Sequence, residues 1–134
     1  MPAMGTRARE FRYAVDLGEG GVVRTEDGTR LEADPAWSPE HLLLAALVRC
    51  TLKSLAHHAR LARIEVANAT ASARALFAKR ESDGRYALAE CDVELAVRLS
   101  PTPGEVELAE LLEKAERDCF IGSSLTVTPT YRWL

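Results

Sequence analysis

The chain has little of what marks a specialised protein class. Aromatic residues make up only 6% of its 134 residues, and no apolar run approaches the roughly 18 residues that would cross a bilayer. It has no excess of positive charge: 17 Lys and Arg stand against 20 Asp and Glu, a formal net charge of −3. Neither a nucleic acid nor a membrane surface is therefore expected as a partner. Cysteine is scarce, with three residues, an odd number that does not make a secreted disulfide framework. No Cys-x-x-Cys or His-x-x-x-His spacing occurs, so neither a metal site nor a cofactor is expected. The first ten residues, MPAMGTRARE, lack the apolar centre of a signal peptide and read as a frayed start. The expected location is the cytoplasm.

What is present is an ordinary globular composition, 47% apolar and 28% charged, read as one domain over residues 1–134 without repeats or linkers. A β-meander is expected first. Phe11 to Leu17, Val22 to Thr25 and Arg30 to Ala33 form short strands, separated by Gly-Glu-Gly-Gly at 18–21 and Asp-Gly at 27–28. Ser38 followed by Pro39 starts a helix, since serine caps and proline suits the first helical position. From Glu40 to about Ala62 no Gly or Pro intervenes. Residues 42–48, LLLAALV, are apolar all round, so the helix runs through a core, part of which a second subunit is expected to supply.

Alternating apolar residues then predict a long hairpin turning at Ser82-Asp83-Gly84. One arm presents Ala67, Ala69, Ala71, Ala73, Ala75 and Phe77; the other presents Ala87, Ala89, Cys91, Val93, Leu95, Val97 and Leu99. The alternation slips by one residue after Ile64 and Val66, so either the strand begins near Ala67 or a bulge sits there. Thr102-Pro103-Gly104-Glu105 reads as a capping box, and Val106, Leu108, Leu111, Leu112 and Ala115 line one face of the helix that follows, with Cys119 at its inward end. Leu125 to Leu134 reads as a last strand. The expected order is β-β-β-α-β-β-α-β, an α+β domain.

Cys91, on the apolar register, reads as a small core hydrophobe. Cys50 lies within the long helix, where apolar surroundings raise a thiol pKa; reactivity there would need a cation, and Arg49 and Lys53 are the nearest on its own helix. Spacing alone leaves open that Cys50 packs and Arg49 reaches solvent. His57 is two turns beyond Cys50, too far to act as its base. It reads, with His58 and His41, as a helix-surface or interface residue.

The segment Ser38-Pro39-Glu40-His41-Leu42-Leu43-Leu44-Ala45-Ala46-Leu47-Val48-Arg49-Cys50 resembles the [NS]-P-E-x-L-h-x-A-A-h-x-x-C signature of the OsmC/Ohr family, h being apolar. Cys119-Phe120-Ile121-Gly122-Ser123-Ser124-Leu125 is similar to that family's second cysteine motif, with Phe120 where proline is common. The element order agrees, and the resemblance covers nearly the whole chain after residue 10. It implies an intertwined homodimer that reduces organic hydroperoxides, with Cys50 reacting, Cys119 resolving, and a glutamate and an arginine beside the thiolate. Glu40 matches the glutamate. Arg30, in Thr29-Arg30-Leu31-Glu32, resembles the arginine of OsmC-type members, with Arg24 and Arg12 as rivals. The short loop before Ser38 bears on which arginine reaches the site.

The resemblance also implies a dithiol reductant, lipoyl-protein or thioredoxin-like. Ten residues of straight helix put Glu40 about 15 Å from Cys50 along the axis. Either the helix is interrupted early, or Glu40 serves the partner subunit's cysteine. The alternative function is a dimeric protein of the same family that binds an apolar ligand without turnover.

Overall fold

Two units, Met1–Trp37 and Ser38–Leu134, make up the computed structural model, which describes residues 9–134. Most of the start expected to fray, residues 1–8, lies outside the described residues. In the first unit β1 (Val15–Leu17) pairs antiparallel with β2 (Val23–Thr25), from Val15 opposite Thr25 to Leu17 opposite Val23. A 3₁₀ turn over Glu19–Gly21 joins them, with Gly20 and Gly21 at φ near 80°, a backbone that L side chains rarely adopt.

The first strand is shorter than the sequence pattern predicts. Beyond Thr25 the opposing chain turns away, as Asp27 accepts hydrogen bonds from the Thr29 amide and hydroxyl and Gly28 takes φ 90°. The third strand expected over 30–33 survives only as a bridge between Arg24 and Arg30. An Asx turn follows, in which Asp34 Oδ1 accepts from the Ala36 amide at 2.8 Å across Pro35, which has no amide hydrogen for a ladder.

The second unit opens with α1 (Pro39–Leu61), unbroken over 23 residues. The Ser38 hydroxyl accepts from the His41 amide at 3.1 Å, and His41 Nδ1 accepts from the Ser38 amide at 3.2 Å. His41 therefore plays the part that Glu or Gln usually plays in a capping box. The helix ends with Arg63 at φ 61°, a left-handed position where glycine is usual. There the Ile64 amide donates to Ala59 O (2.8 Å) and the Arg63 amide to Arg60 O (3.0 Å). That closure aims Ile64 at Ala59 in a cluster completed by Leu55, Leu111 and Ala115.

β3 (Glu65–Lys79) and β4 (Tyr86–Ser100) form the long antiparallel hairpin. Of the two readings of the slip near Ala67, the bulge is the one found: the register shifts between Val66 and Asn68. A second shift between Leu76 and Phe77 was not foreseen. It leaves Ala89 without an opposite residue and swaps faces, so Leu88 is buried while Phe77 and Ala89 are exposed.

The next helix, α2 (Glu105–Arg117), starts two residues later than the expected box, which would be capped by Thr102. Its cap is Gly104, which has no side chain to offer, and only the return bond forms, with Glu107 Oε1 accepting from the Gly104 amide at 3.2 Å. A four-residue helix, α3 (Phe120–Ser123), follows and was not expected. The last strand, β5, is only Thr130–Trp133 and runs parallel to β4, giving the sheet order β3-β4-β5. A second core cluster holds Leu47, Leu88, Cys91, Val93, Leu95 and Cys119.

Candidate active site

The second unit brings two of the four sequence-predicted site residues together. Cys50 projects from the middle of α1, partly exposed, and packs on the cluster that contains Cys119. Cys119 is fully buried. It does not end α2, as its spacing predicts, but caps α3: its Sγ accepts from the Gly122 amide at 3.3 Å. The same turn aims the Ile121 amide at Cys50 Sγ, 3.5 Å away. One short helix thus directs backbone donors at both sulfurs. Both thiols are free, as is that of Cys91.

The electrostatics follow from these neighbours. Burial pushes the Cys50 thiol up, the Ile121 amide draws it down, and the Cys119 thiol beside it pushes it up again. Among the described residues, the neighbours that shift Cys50 are Ile121, Phe120 and Cys119, and no cation is one of them. Arg49, next to it in sequence, is exposed, and so is Lys53, as expected of residues whose charges find water on the outer face of α1.

Around Cys119 the hydrogen bonds have a definite direction. Thr51 has one hydroxyl proton and gives it to Leu47 O, one turn back at 2.9 Å. At its 3.4 Å contact with Cys119 Sγ the threonine oxygen therefore accepts, and the thiol donates. The Tyr131 hydroxyl reaches the same place from β5 and lies near enough to Thr51 and Cys119 for both to affect it. Even so, it makes no hydrogen bond among the described residues. An unmet buried hydroxyl costs about 1–3 kcal/mol. Burial pushes its pKa up to about 12.

Glu40 is exposed in the first turn of α1. With α1 unbroken from Pro39 to Leu61, an early interruption is not what brings it to a thiol. Arg30 belongs to the first unit, half exposed, its Nε 4.0 Å from Glu32 Oε1. The rivals Arg24 and Arg12 are in that unit too, and Arg12 pairs with Glu10 at 2.8 Å. His57 is on the helix surface, as read. His58 is more than a surface residue: largely buried, its Nε2 lies 2.7 Å from Asp118 Oδ2 and ties α1 to the residue before Cys119. Arg117 first, then His58, holds the Asp118 carboxyl down at about 2.

Sequence reasoning missed Thr51 and Tyr131. Thr51 adjoins Cys50, and a threonine inside an apolar helix was a usable signal; nothing marked Tyr131. No group of His, Cys, Asp and Glu suited to a metal occurs among the described residues.

The sequence matches the family profile described as OsmC-like protein over residues 31–133. The chain belongs to the OsmC-like family. Solved structures with the same fold include an OsmC-like protein of unknown function from Vibrio cholerae (TM-score 0.74, 17% identity, 93% of this chain and 100% of that one). An organic hydroperoxide resistance protein, OhrB, of Bacillus subtilis superposes with TM-score 0.61 at 18% identity, over 92% and 96% of the chains. One from Elizabethkingia anophelis gives 0.63 at 20%, over 97% and 96%. Among curated proteins nothing matches. The OsmC-like fold is thus shared with proteins named for hydroperoxide resistance, and no helix among the described residues is long and apolar enough to cross a membrane.

Proposed function

We propose that this OsmC-like protein is a thiol-dependent peroxidase that reduces organic hydroperoxides to alcohols in the cytoplasm. The observation that carries the reading is the meeting of Cys50 and Cys119 at α3, with Ile121 N–H directed at the sulfur of the partly exposed Cys50. The Cys50 thiolate attacks the outer peroxide oxygen; the S–O bond forms, the O–O bond breaks, and the alkoxide leaves and takes a proton as the alcohol. Cys119 then attacks the Cys50 sulfenic sulfur, forming the disulfide and releasing water, and a dithiol such as a lipoyl-protein or a thioredoxin-like protein restores both thiols.

A thiol that burial pushes up needs a cation to ionise near neutral pH. Arg30 is assigned that role, and its fork suits both the thiolate and the departing oxygen. Glu40 would orient the arginine at the partner's cysteine in a homodimer. The half-buried Leu42, Leu43 and Leu44 of α1 support such a partner, since one chain leaves them incompletely covered. The test is consumption of cumene hydroperoxide with dithiothreitol. Wild type turns over and Cys50→Ser falls to the uncatalysed background; equal rates would overturn the assignment and leave a dimer that binds an apolar ligand.

A further inference from the structure

The two-cysteine scheme leaves the Tyr131 hydroxyl of the dithiol site unused. Its oxygen is buried and makes no hydrogen bond among the described residues, an arrangement that folding does not favour without a compensating use. Its place is defined by Gly122. A Cβ built on that glycine would lie 2.7 Å from the Tyr131 oxygen and 3.4 Å from Cys119 Sγ. The phenol and the sulfur therefore flank one point, and the missing side chain makes room for the phenol beside the thiol.

In the reduced protein the phenol has little to donate to. The Cys119 proton goes to Thr51 Oγ1, and a neutral thiol sulfur, already accepting from the Gly122 amide, is a weak acceptor. Ionisation reverses this. The thiolate no longer donates to Thr51, carries full negative charge, and accepts from any donor within reach. Thr51 can supply a proton only by giving up Leu47 O, whereas the Tyr131 hydroxyl, beside both Thr51 and Cys119, holds no well-formed hydrogen bond that it would have to give up.

We infer that the Tyr131 hydroxyl is the hydrogen-bond donor kept for the Cys119 thiolate, which makes Tyr131 a residue of the resolving step. The inference rests on the peroxidase reading for its purpose. In that step Cys119 attacks the Cys50 sulfenic sulfur, the S–S bond forms and the S–O bond breaks. The departing hydroxide takes up the proton that the Cys119 thiol gave up and leaves as water. Tyr131 keeps its own proton throughout, in keeping with a phenol that burial makes hard to ionise. The other ionisable groups bearing on this pair are the Cys50 thiol and Glu116, whose Oε2 accepts from Trp133 Nε1 at 2.7 Å.

Tyr131→Phe removes the oxygen and keeps the ring. Two readouts separate this inference from the reading beneath it. In a Cys50→Ser background, which needs no peroxide chemistry, the Cys119 ¹³Cβ shift is titrated. Loss of one hydrogen bond to a charged sulfur should lower its thiolate fraction about tenfold at a given pH. With hydroperoxide and Cys50 intact, sulfenic acid should persist about threefold longer, because the scarcer thiolate is also the more nucleophilic one. The reduced variant should melt no lower than wild type, since an unmet hydroxyl has been removed. Gly122→Ala, which displaces the phenol, should shift the titration the same way. An unchanged Cys119 titration in Tyr131→Phe overturns the inference even where the disulfide forms. A wild type that forms no disulfide overturns the peroxidase reading, while the titration still decides the donor.

Discussion

Cys91 and Cys119 are both buried, both free, and both part of one apolar cluster, yet their surroundings differ in kind. Cys91 stands on β4 opposite Ala75, with desolvation first and the neighbouring Asp92 second in pushing its pKa up. No donor is directed at it among the hydrogen bonds of the described residues. Cys119 sits at the start of a four-residue helix, where Gly122 N–H, Thr51 and Tyr131 surround the sulfur and Cys50 lies alongside. Burial alone thus says little about a thiol. A strand presents a side chain to a flat apolar face, whereas a helix start presents backbone N–H groups that a sulfur can use.

Replacing each thiol is the sharpest way to press that difference. Cys119→Ser should still consume its first equivalent of hydroperoxide, but Cys50 then remains as sulfenic acid and advances to the sulfinic form when oxidant is in excess. Intact-mass spectrometry follows both species. Cys91→Ala should keep hydroperoxide turnover within about twofold of wild type, its effect falling on stability instead, as for other core truncations. Loss of turnover in Cys91→Ala, or full recycling in Cys119→Ser, would erase the distinction between the two positions.

A smaller effect is expected at Asp118, the residue before Cys119. Its carboxyl is held at about 2, below its ordinary value of 3.8, by Arg117 and His58. A carboxylate whose folded pKa is depressed contributes stability above its unfolded pKa and loses that contribution as pH falls toward the folded one. Its side chain is 40% exposed, so solvent screening limits the gain to about 0.2–1 kcal/mol. Urea unfolding of Asp118→Asn beside wild type should show that deficit at pH 7 and a shrinking one from about pH 4 toward 2. A deficit independent of pH would show that the contact holds by packing rather than by charge.

The same contrast explains how much was legible in the sequence. Cys91 could be placed because strand alternation repeats every two residues over a long hairpin, and the long helix declared itself through Ser38-Pro39 and an interior free of Gly and Pro. The bulge at Ala67 appeared as a slip in that alternation. The one at Ala89 did not, because Leu76-Phe77 and Leu88-Ala89 are apolar on both faces. The surroundings of Cys119 were the least legible part. Four residues of helix are too few to show a period, and neither the parallel pairing of β5 nor the arrival of Tyr131 beside Gly122 follows from local pattern. Motif resemblance named both cysteines, but only the fold puts them side by side; the parts assigned to Arg30 and Glu40 still rest on resemblance and on the chemistry a thiolate needs.

The central claim is that two of the three thiols act as a pair, and the most direct measurement is peptide mapping after one equivalent of organic hydroperoxide. The predicted product is an intramolecular Cys50–Cys119 disulfide with Cys91 still alkylatable after unfolding. A bond that includes Cys91, or three intact thiols after exposure to the peroxide, would contradict it.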